Sequence, residues 1–403
     1  MKERILLLLL AVSSILVGCT NDGLGDGAAL ERPSDVPIML NAKGSFDASV
    51  STNKQAPATR ASVNDASELG EVGIFMLAGK KTGINGSAAA PDPDWSVILD
   101  PGANYATTTN GIYWYNVKCS MDAETGRLEN AEGANAIWYY PITSWYAYDF
   151  YGYHPYQDEI NPVEKYGTNK YRMTVDFEID GTKDILWGRS DIIAGNNYAY
   201  SAKYFRTTND EAAHMLFKHK LAQFRFFLIP EKDADADDEA FGGLEGLSLK
   251  SVTMHKVATE LRMLLADSDP NEQGNVGNLQ CISARDQSIA LKDKDGNPFS
   301  PVLFETEEVD GVVKGKKVRV GDCIMLCPFD TEYYMSIVLC DAKGNEYHSE
   351  KVMNITLGGD QFQPGKIYNI NINATGVTAI SLNATVEQWE DTGDNDNLNF
   401  DIN

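Results

Sequence analysis

The residue types best suited to chemistry in this chain are its 5 histidines, 6 cysteines and 58 acidic side chains, and their spacing argues against a catalytic centre. His154, His214, His219, His255 and His348 form no H-x-x-x-H pair on a credible helix. His214 and His219 are five apart on a predicted strand, which puts them on opposite faces. Cys323 and Cys327 are four apart in the strand-like run Cys323-Ile324-Met325-Leu326-Cys327, so they share one face and read as small buried apolar groups. A zinc site would need histidine or a second cysteine pair at close spacing. The run Asp293-Lys294-Asp295-Gly296-Asn297 begins like a calcium loop but lacks the later ligands, so a hairpin turn is expected there. The chain has no G-x-S-x-G elbow and no phosphate loop. A glycosidase needs two carboxylates roughly 5–10 Å apart, and the acid content leaves that pairing open. The expectation is a non-enzyme without catalytic residues, metal or cofactor.

One thiol stands apart. Lys2 and Arg4 precede the apolar run Ile5 to Val17, and the segment closes on Leu16-Val17-Gly18-Cys19. A charged start, a short apolar core and a small residue before the cut are what export machinery reads. The run is too short to span a bilayer. This arrangement resembles a bacterial lipoprotein signal over residues 1–19. It implies lipid on the Cys19 thiol, a mature chain beginning there, and a tether to the outer membrane. Cys119, Cys281, Cys323, Cys327 and Cys340 then remain, an odd number that cannot all pair.

The second expected covalent event is scission. Ala56-Pro57-Ala58-Thr59-Arg60-Ala61 is a small-residue loop with one arginine, an accessible target for a trypsin-like protease between Arg60 and Ala61. Its alternative is an ordinary linker. Ahead of it, residues 20–60 divide into a tether up to about Ser34, an apolar segment Val36 to Phe46, and a polar stretch Ser49 to Thr59. Ile38, Leu40 and Ala42 alternate with Met39 and Asn41, the period of a strand.

The elements that must position these residues are strands. From Leu69 onward short candidates succeed one another: Val72 to Leu77, Gly111 to Tyr115, Ile137 to Tyr140, Ala147 to Tyr153, Tyr171 to Phe177, Leu216 to Leu228, Leu247 to Met254, Val318 to Leu326, Tyr333 to Leu339 and Lys366 to Ile372. Turn signals such as Asp180-Gly181, Lys343-Gly344-Asn345 and Gly358-Gly359-Asp360 separate them. Helix patterns are few, and 19 Tyr, 15 Phe and 6 Trp favour strands. An all-β chain of two β-sandwiches is the expectation. Arg206 to Glu211 is the preferred junction, with Glu231 to Glu239 as its rival. The boundaries are then 61–210 and 211–390, with 391–403 as a tail.

Charge narrows the partners. With 58 acidic against 34 basic residues the net charge is -24, and such a surface repels phosphate backbones, so no nucleic-acid partner is expected.

Seven pieces in order resemble the fimbrillin-like proteins of Bacteroidales, the subunits of type V pili. They are the lipobox at Cys19; Thr59-Arg60-Ala61 ahead of Glu71-Val72-Gly73-Ile74-Phe75; Tyr151-Gly152-Tyr153-His154-Pro155-Tyr156; Asp184-Ile185-Leu186-Trp187-Gly188; Leu216-Phe217-Lys218-His219-Lys220-Leu221-Ala222-Gln223; Phe362-Gln363-Pro364-Gly365-Lys366-Ile367-Tyr368; and Trp389. The resemblance implies two tandem transthyretin-like Greek-key β-sandwiches behind a signal and a pro-strand. It implies an arginine-specific protease that cuts after Arg60, departure of the N-terminal strand, and filling of the groove by a strand of another fimbrial subunit, in a homo- or hetero-polymer. Ile38, Leu40 and Ala42 would be the plug of the leaving strand.

A donor must be a segment with matching alternation. Leu398, Phe400 and Ile402 alternate with Asn399, Asp401 and Asn403, and Asp391 to Asn397 reads as a hinge before them. A terminal strand packed on its own domain is the equal alternative. The competing class is a monomeric outer-membrane lipoprotein that binds host or bacterial surface glycans. Its platform would be the outward rings of the cluster Trp138 to Tyr156, with Trp138, Trp145, Tyr151 and Tyr153 as candidates.

Overall fold

A computed structural model describes residues 33–44, 69–80, 112–122, 125–131, 139–141, 146–168, 170–191, 193, 200–232, 241, 243–328, 330–348, 352–376, 380–388 and 398–401. The architecture is almost entirely β. Seven strands close on themselves in the order Leu186–Ser190, Ala213–His219, Leu40–Gly44, Arg127–Asn130, Ile112–Asp122, Val72–Lys80 and Tyr146–His154, which pairs back to Leu186–Ser190. The N-terminal sheet is therefore a barrel rather than the open sandwich expected. Alternation explains the closure: every second residue of Ala213–His219 and of Leu186–Ser190 is buried, and one inward face wraps a single core. That core holds Leu40, Val72, Ile74, Phe150, Met215 and Phe217.

The C-terminal part is a pair of facing sheets. One runs Val318–Leu326, Ala222–Pro230, Lys366–Ala374, Ile380–Gln388, Leu398–Asp401. The other is built on Leu247–Val257 and Glu332–Asp341, flanked by Gln287–Ala290 and Glu346–His348. Between them Phe224, Phe226, Val252, Met254, Met335, Ile337, Ile370 and Ile372 form a second core.

A four-stranded sheet joins the two parts. In it Lys170–Glu178 pairs with Glu260–Asp267, Phe177 opposite Leu261 and Val175 opposite Met263. Its apolar face meets Phe75, Leu77, Tyr151 and Tyr153 of the barrel and Met325, Cys327 and Ile367 of the C-terminal sheet. Strands from both halves of the sequence thus share one sheet and one core.

One expectation changes here. The stretch Leu216 to Leu228 is two strands, because Lys220 N donates to Ile185 O and Leu221 O accepts from Gly365 N, which precede strands of different sheets. The change of sheet falls at Lys220 and Leu221. The barrel continues past 210/211, because Ala213–His219 pairs with Leu186–Ser190 and Leu40–Gly44. Arg206 to Glu211 covers the end of the helix Ala202–Thr207 and the approach to that strand.

Candidate functional site

The plug segment is the site the structure describes most directly. Leu40–Gly44 forms part of the barrel wall, parallel to Ala213–His219 and antiparallel to Arg127–Asn130. Leu40 sits opposite Ala213 and Leu128, Ala42 opposite Met215, and Gly44 opposite Phe217. Ala213 N donates to Met39 O at 2.9 Å, and Ala42 N donates to Gly126 O at 3.2 Å. Among the described residues, a strand distant in sequence from both neighbours is the sole link between two barrel edges at this seam.

Side chains anchor it. Leu40 is 1% exposed in the barrel core, and Val36, Ile38 and Ala42 pack partly buried against the same core. Leu40 and Ala42 belong to the strand, whereas Ile38 precedes it between Pro33–Pro37 and Leu40–Gly44. Pro33–Pro37 pairs with Tyr139–Pro141. Asp35 accepts from Arg206, whose guanidinium holds the carboxyl below its usual range. That pair is exposed and adds little. One feature weakens the grip: Asn41 Oδ1 is buried with no hydrogen-bond partner among the described residues, a desolvation cost of about 1–3 kcal/mol.

Removal of Leu40–Gly44 would leave open edges on Ala213–His219 and Arg127–Asn130 above an emptied Leu40 socket. Such a groove accepts an extended segment by backbone pairing, with pockets for alternate side chains.

The chain re-enters the barrel at Leu69, which is buried, and Glu71. Glu71 O lies 3.0 Å from His154 Nδ1, and Glu71 Oε2 lies 2.8 Å from Lys118 Nζ. Burial lowers the His154 pKa below its usual 6.5, opposed by the nearby Asp184 charge and the bond to Glu71 O, with His219 adding to the depression. The sign follows. Above the unfolded value both states are neutral; as pH falls through it the unfolded chain takes the proton more readily, and stability is lost. Thermal melts should show the wild type losing about 1–3 °C more than His154→Asn between pH 7 and pH 5.5. Equal slopes for the two chains would refute this.

The sequence motifs resolve into structural clasps. Asp184 Oδ2 and His219 Nδ1, from two separate motifs, meet at 2.8 Å in a buried pair. Trp187 Nε1 donates to Leu265 O at 3.1 Å, tying the barrel wall to the joining sheet. In the Phe362 to Tyr368 motif the two rings stack edge to face at 4.7 Å, and Gln363 N donates to the Tyr368 hydroxyl at 2.8 Å. Asp293 accepts from the Asp295 and Asn297 amides at 3.0 and 2.8 Å, with Gly296 at φ 79°, so its carboxylate closes a turn. Among the described residues no cluster of three His, Cys, Asp or Glu is placed to hold a metal.

The platform requires a correction. Tyr151 is 3% exposed and Tyr153 0%, so neither ring is available to a ligand. Tyr148 and Phe150 face the barrel core, and the opposite face of the same strand is covered by the joining sheet: the Tyr153 ring lies 5.9 Å from Phe177 and its hydroxyl donates to Asn116 Oδ1 at 2.7 Å. Sequence alternation assumed a wall with one wet face, and a second sheet removed it. Trp138 and Trp145 lie outside the described residues, as do Cys19, Arg60, Ala61 and Ile402.

The tail Leu398–Asp401 pairs antiparallel with Ile380–Gln388, Leu398 opposite Val386 and Phe400 opposite Ala384. Among the described residues it is an edge strand of its own sheet, paired along one side with Ile380–Gln388.

Residues 59–389 match the protein family described as Fimbrillin-like. No curated protein matches the sequence. Two solved structures, both provisionally described as cell adhesion proteins, resemble it over most of each chain. That from Bacteroides uniformis shares 16% identity over 89% of this chain and 100% of its own, at TM-score 0.44. That from Bacteroides ovatus shares 12% over 88% and 97%, also at 0.44. A fimbrial protein from Bacteroides ovatus shares 10% over 84% of this chain and 49% of its own, at 0.29.

Proposed function

Because this chain belongs to the fimbrillin-like family over residues 59–389, we propose that it is a structural or adhesive subunit of a surface fimbria, assembled by exchange of strands between subunits. The observation that carries this reading is the position of Leu40–Gly44, inserted between Ala213–His219 and Arg127–Asn130. In the proposed sequence the chain is exported as a lipoprotein through Cys19 and held at the outer membrane. An arginine-specific protease cuts between Arg60 and Ala61, the strand bearing Ile38, Leu40 and Ala42 departs, and the groove takes a strand from another subunit. The tail Leu398, Phe400 and Ile402 is the donor. The repeating unit is two tandem β-domains, the first running through His219 and the second starting near Leu221. The mechanism is mechanical, and hydrogen bonds exchanged strand for strand leave the net count of backbone bonds unchanged.

The test is limited digestion of the full chain in detergent with an arginine-specific protease, followed by mass spectrometry and non-boiled SDS gels. A single cut after Arg60, loss of the N-terminal peptide and growth of SDS-resistant multimers are expected, and Arg60→Ala should stay uncut and monomeric. A wild-type chain that is cut yet remains monomeric, with its N-terminal strand retained, would turn the reading to a monomeric glycan-binding lipoprotein.

A further inference from the structure

We propose that Cys281 and Cys327 are a disulfide-forming pair that staples the joining sheet to the C-terminal sheet by reaction with an external disulfide. Their sulfurs lie 3.5 Å apart across 46 residues of sequence. A disulfide needs about 2.05 Å, so the sulfurs must approach by roughly 1.5 Å. Cys281 ends the edge strand Leu279–Cys281, opposite Leu261. Cys327 follows directly on Val318–Leu326 of the other sheet, its carbonyl held by the Tyr333 hydroxyl. The bond would cross-link two sheets that otherwise meet there through side-chain packing in the shared core.

The environment divides the labour between the two sulfurs. Cys281 is half-buried, within reach of an external reagent, whereas Cys327 is buried. The hydrogen bond shared with Cys327 lowers the Cys281 thiol to about 6 against the effect of burial, and the Arg285 guanidinium assists. Arg285 is itself held by Asp330, three residues after Cys327. Cys119 and Cys323 are pushed up to about 12 by burial, and Cys340 is buried. Attack therefore starts at Cys281. Its thiolate displaces one thiolate from the external disulfide, giving a mixed disulfide. Cys327 then surrenders its proton and attacks the Cys281 sulfur, expelling the second thiolate. The two protons end on the two released thiols, and the external disulfide is reduced by two electrons. Oxidised surroundings outside the cytosol supply such reagents, but the geometry of the pair does not depend on the fimbrial reading.

Glutathione disulfide is the probe. The full chain is incubated with it at pH 7.5, quenched in acid, alkylated, digested and mapped. A linked Cys281–Cys327 peptide lighter by two hydrogens is expected, with Cys119, Cys323 and Cys340 alkylated. Cys327→Ser should trap glutathione on Cys281, and Cys281→Ser should leave Cys327 unmodified. Oxidation should raise the wild-type melting temperature by about 4–8 °C over the dithiothreitol-reduced chain, and neither variant should show the rise. Wild type that retains glutathione on Cys281 without transfer, links formed equally at other cysteines, or no oxidation of Cys281 at all would each overturn the proposal. The wild-type peptide map decides the matter even if a serine variant fails to fold.

Discussion

Leu40→Asp should expel the N-terminal strand from the barrel. Leu40 contacts the core at 1% exposure, so an ionised carboxylate there would lose its water without gaining a partner. Leu40→Ala alone should cost about 2–5 kcal/mol, the range for a large-to-small change in a packed core, and the charge adds to it. The effect should be local before it is global. The strand already carries the buried Asn41 Oδ1, unpaired among the described residues, and Val36, Ile38 and Ala42 beside Leu40 are partly buried. Hydrogen exchange is the measurement: the Ala213 amide, which donates to Met39 O, should lose protection by orders of magnitude. Amides of Lys366–Ala374, in a different sheet with its own core, should keep theirs. Unchanged protection at Ala213 would mean that the strand is not held by its plug side chain. Under the proposed function, Leu40→Asp should also assemble without proteolysis, because the groove is open from the start.

Deletion of residues 398–403 should abolish assembly while sparing the fold. The tail pairs through four residues on one edge, beyond Ile380–Gln388, so its loss leaves the remaining pairings of that sheet in place. A melting temperature within about 2 °C of wild type is expected. Protease-cut subunits lacking the tail should nevertheless give no SDS-resistant multimers by themselves, yet accept a synthetic peptide of the tail sequence. Multimers formed at the wild-type rate by the truncated chain would eliminate the tail as donor and leave it a terminal strand.

Legibility followed residue type rather than burial pattern, since Lys366–Ala374 is buried almost throughout and Glu260–Asp267 alternates. Val318–Leu326 appears with the bounds the sequence predicts, and Val72 to Leu77 and Lys366 to Ile372 differ only by extension to Lys80 and Ala374. These strands are rich in β-branched and aromatic residues. Glu260–Asp267 was not anticipated: its Leu, Arg, Met and Ala are helix formers, and only the partner strand Lys170–Glu178 makes the alternation of Leu261, Met263 and Leu265 meaningful. Nor could spacing show that Asp184 meets His219, or that Cys281 meets Cys327, since both contacts join separate strands.

By itself the sequence determined that the chain is β-rich, acidic and fimbrillin-like, because alternation, turn residues and ordered motifs are local properties. Tertiary structure decided what each face of a strand touches. Tyr151 and Tyr153 became core because a sheet built from both halves of the chain covers them, and Leu40–Gly44 became the link of a barrel because Ala213–His219 and Arg127–Asn130 left a place for it. Burial is a relation between distant segments, and a one-dimensional pattern specifies only that a face is apolar, not what will cover it.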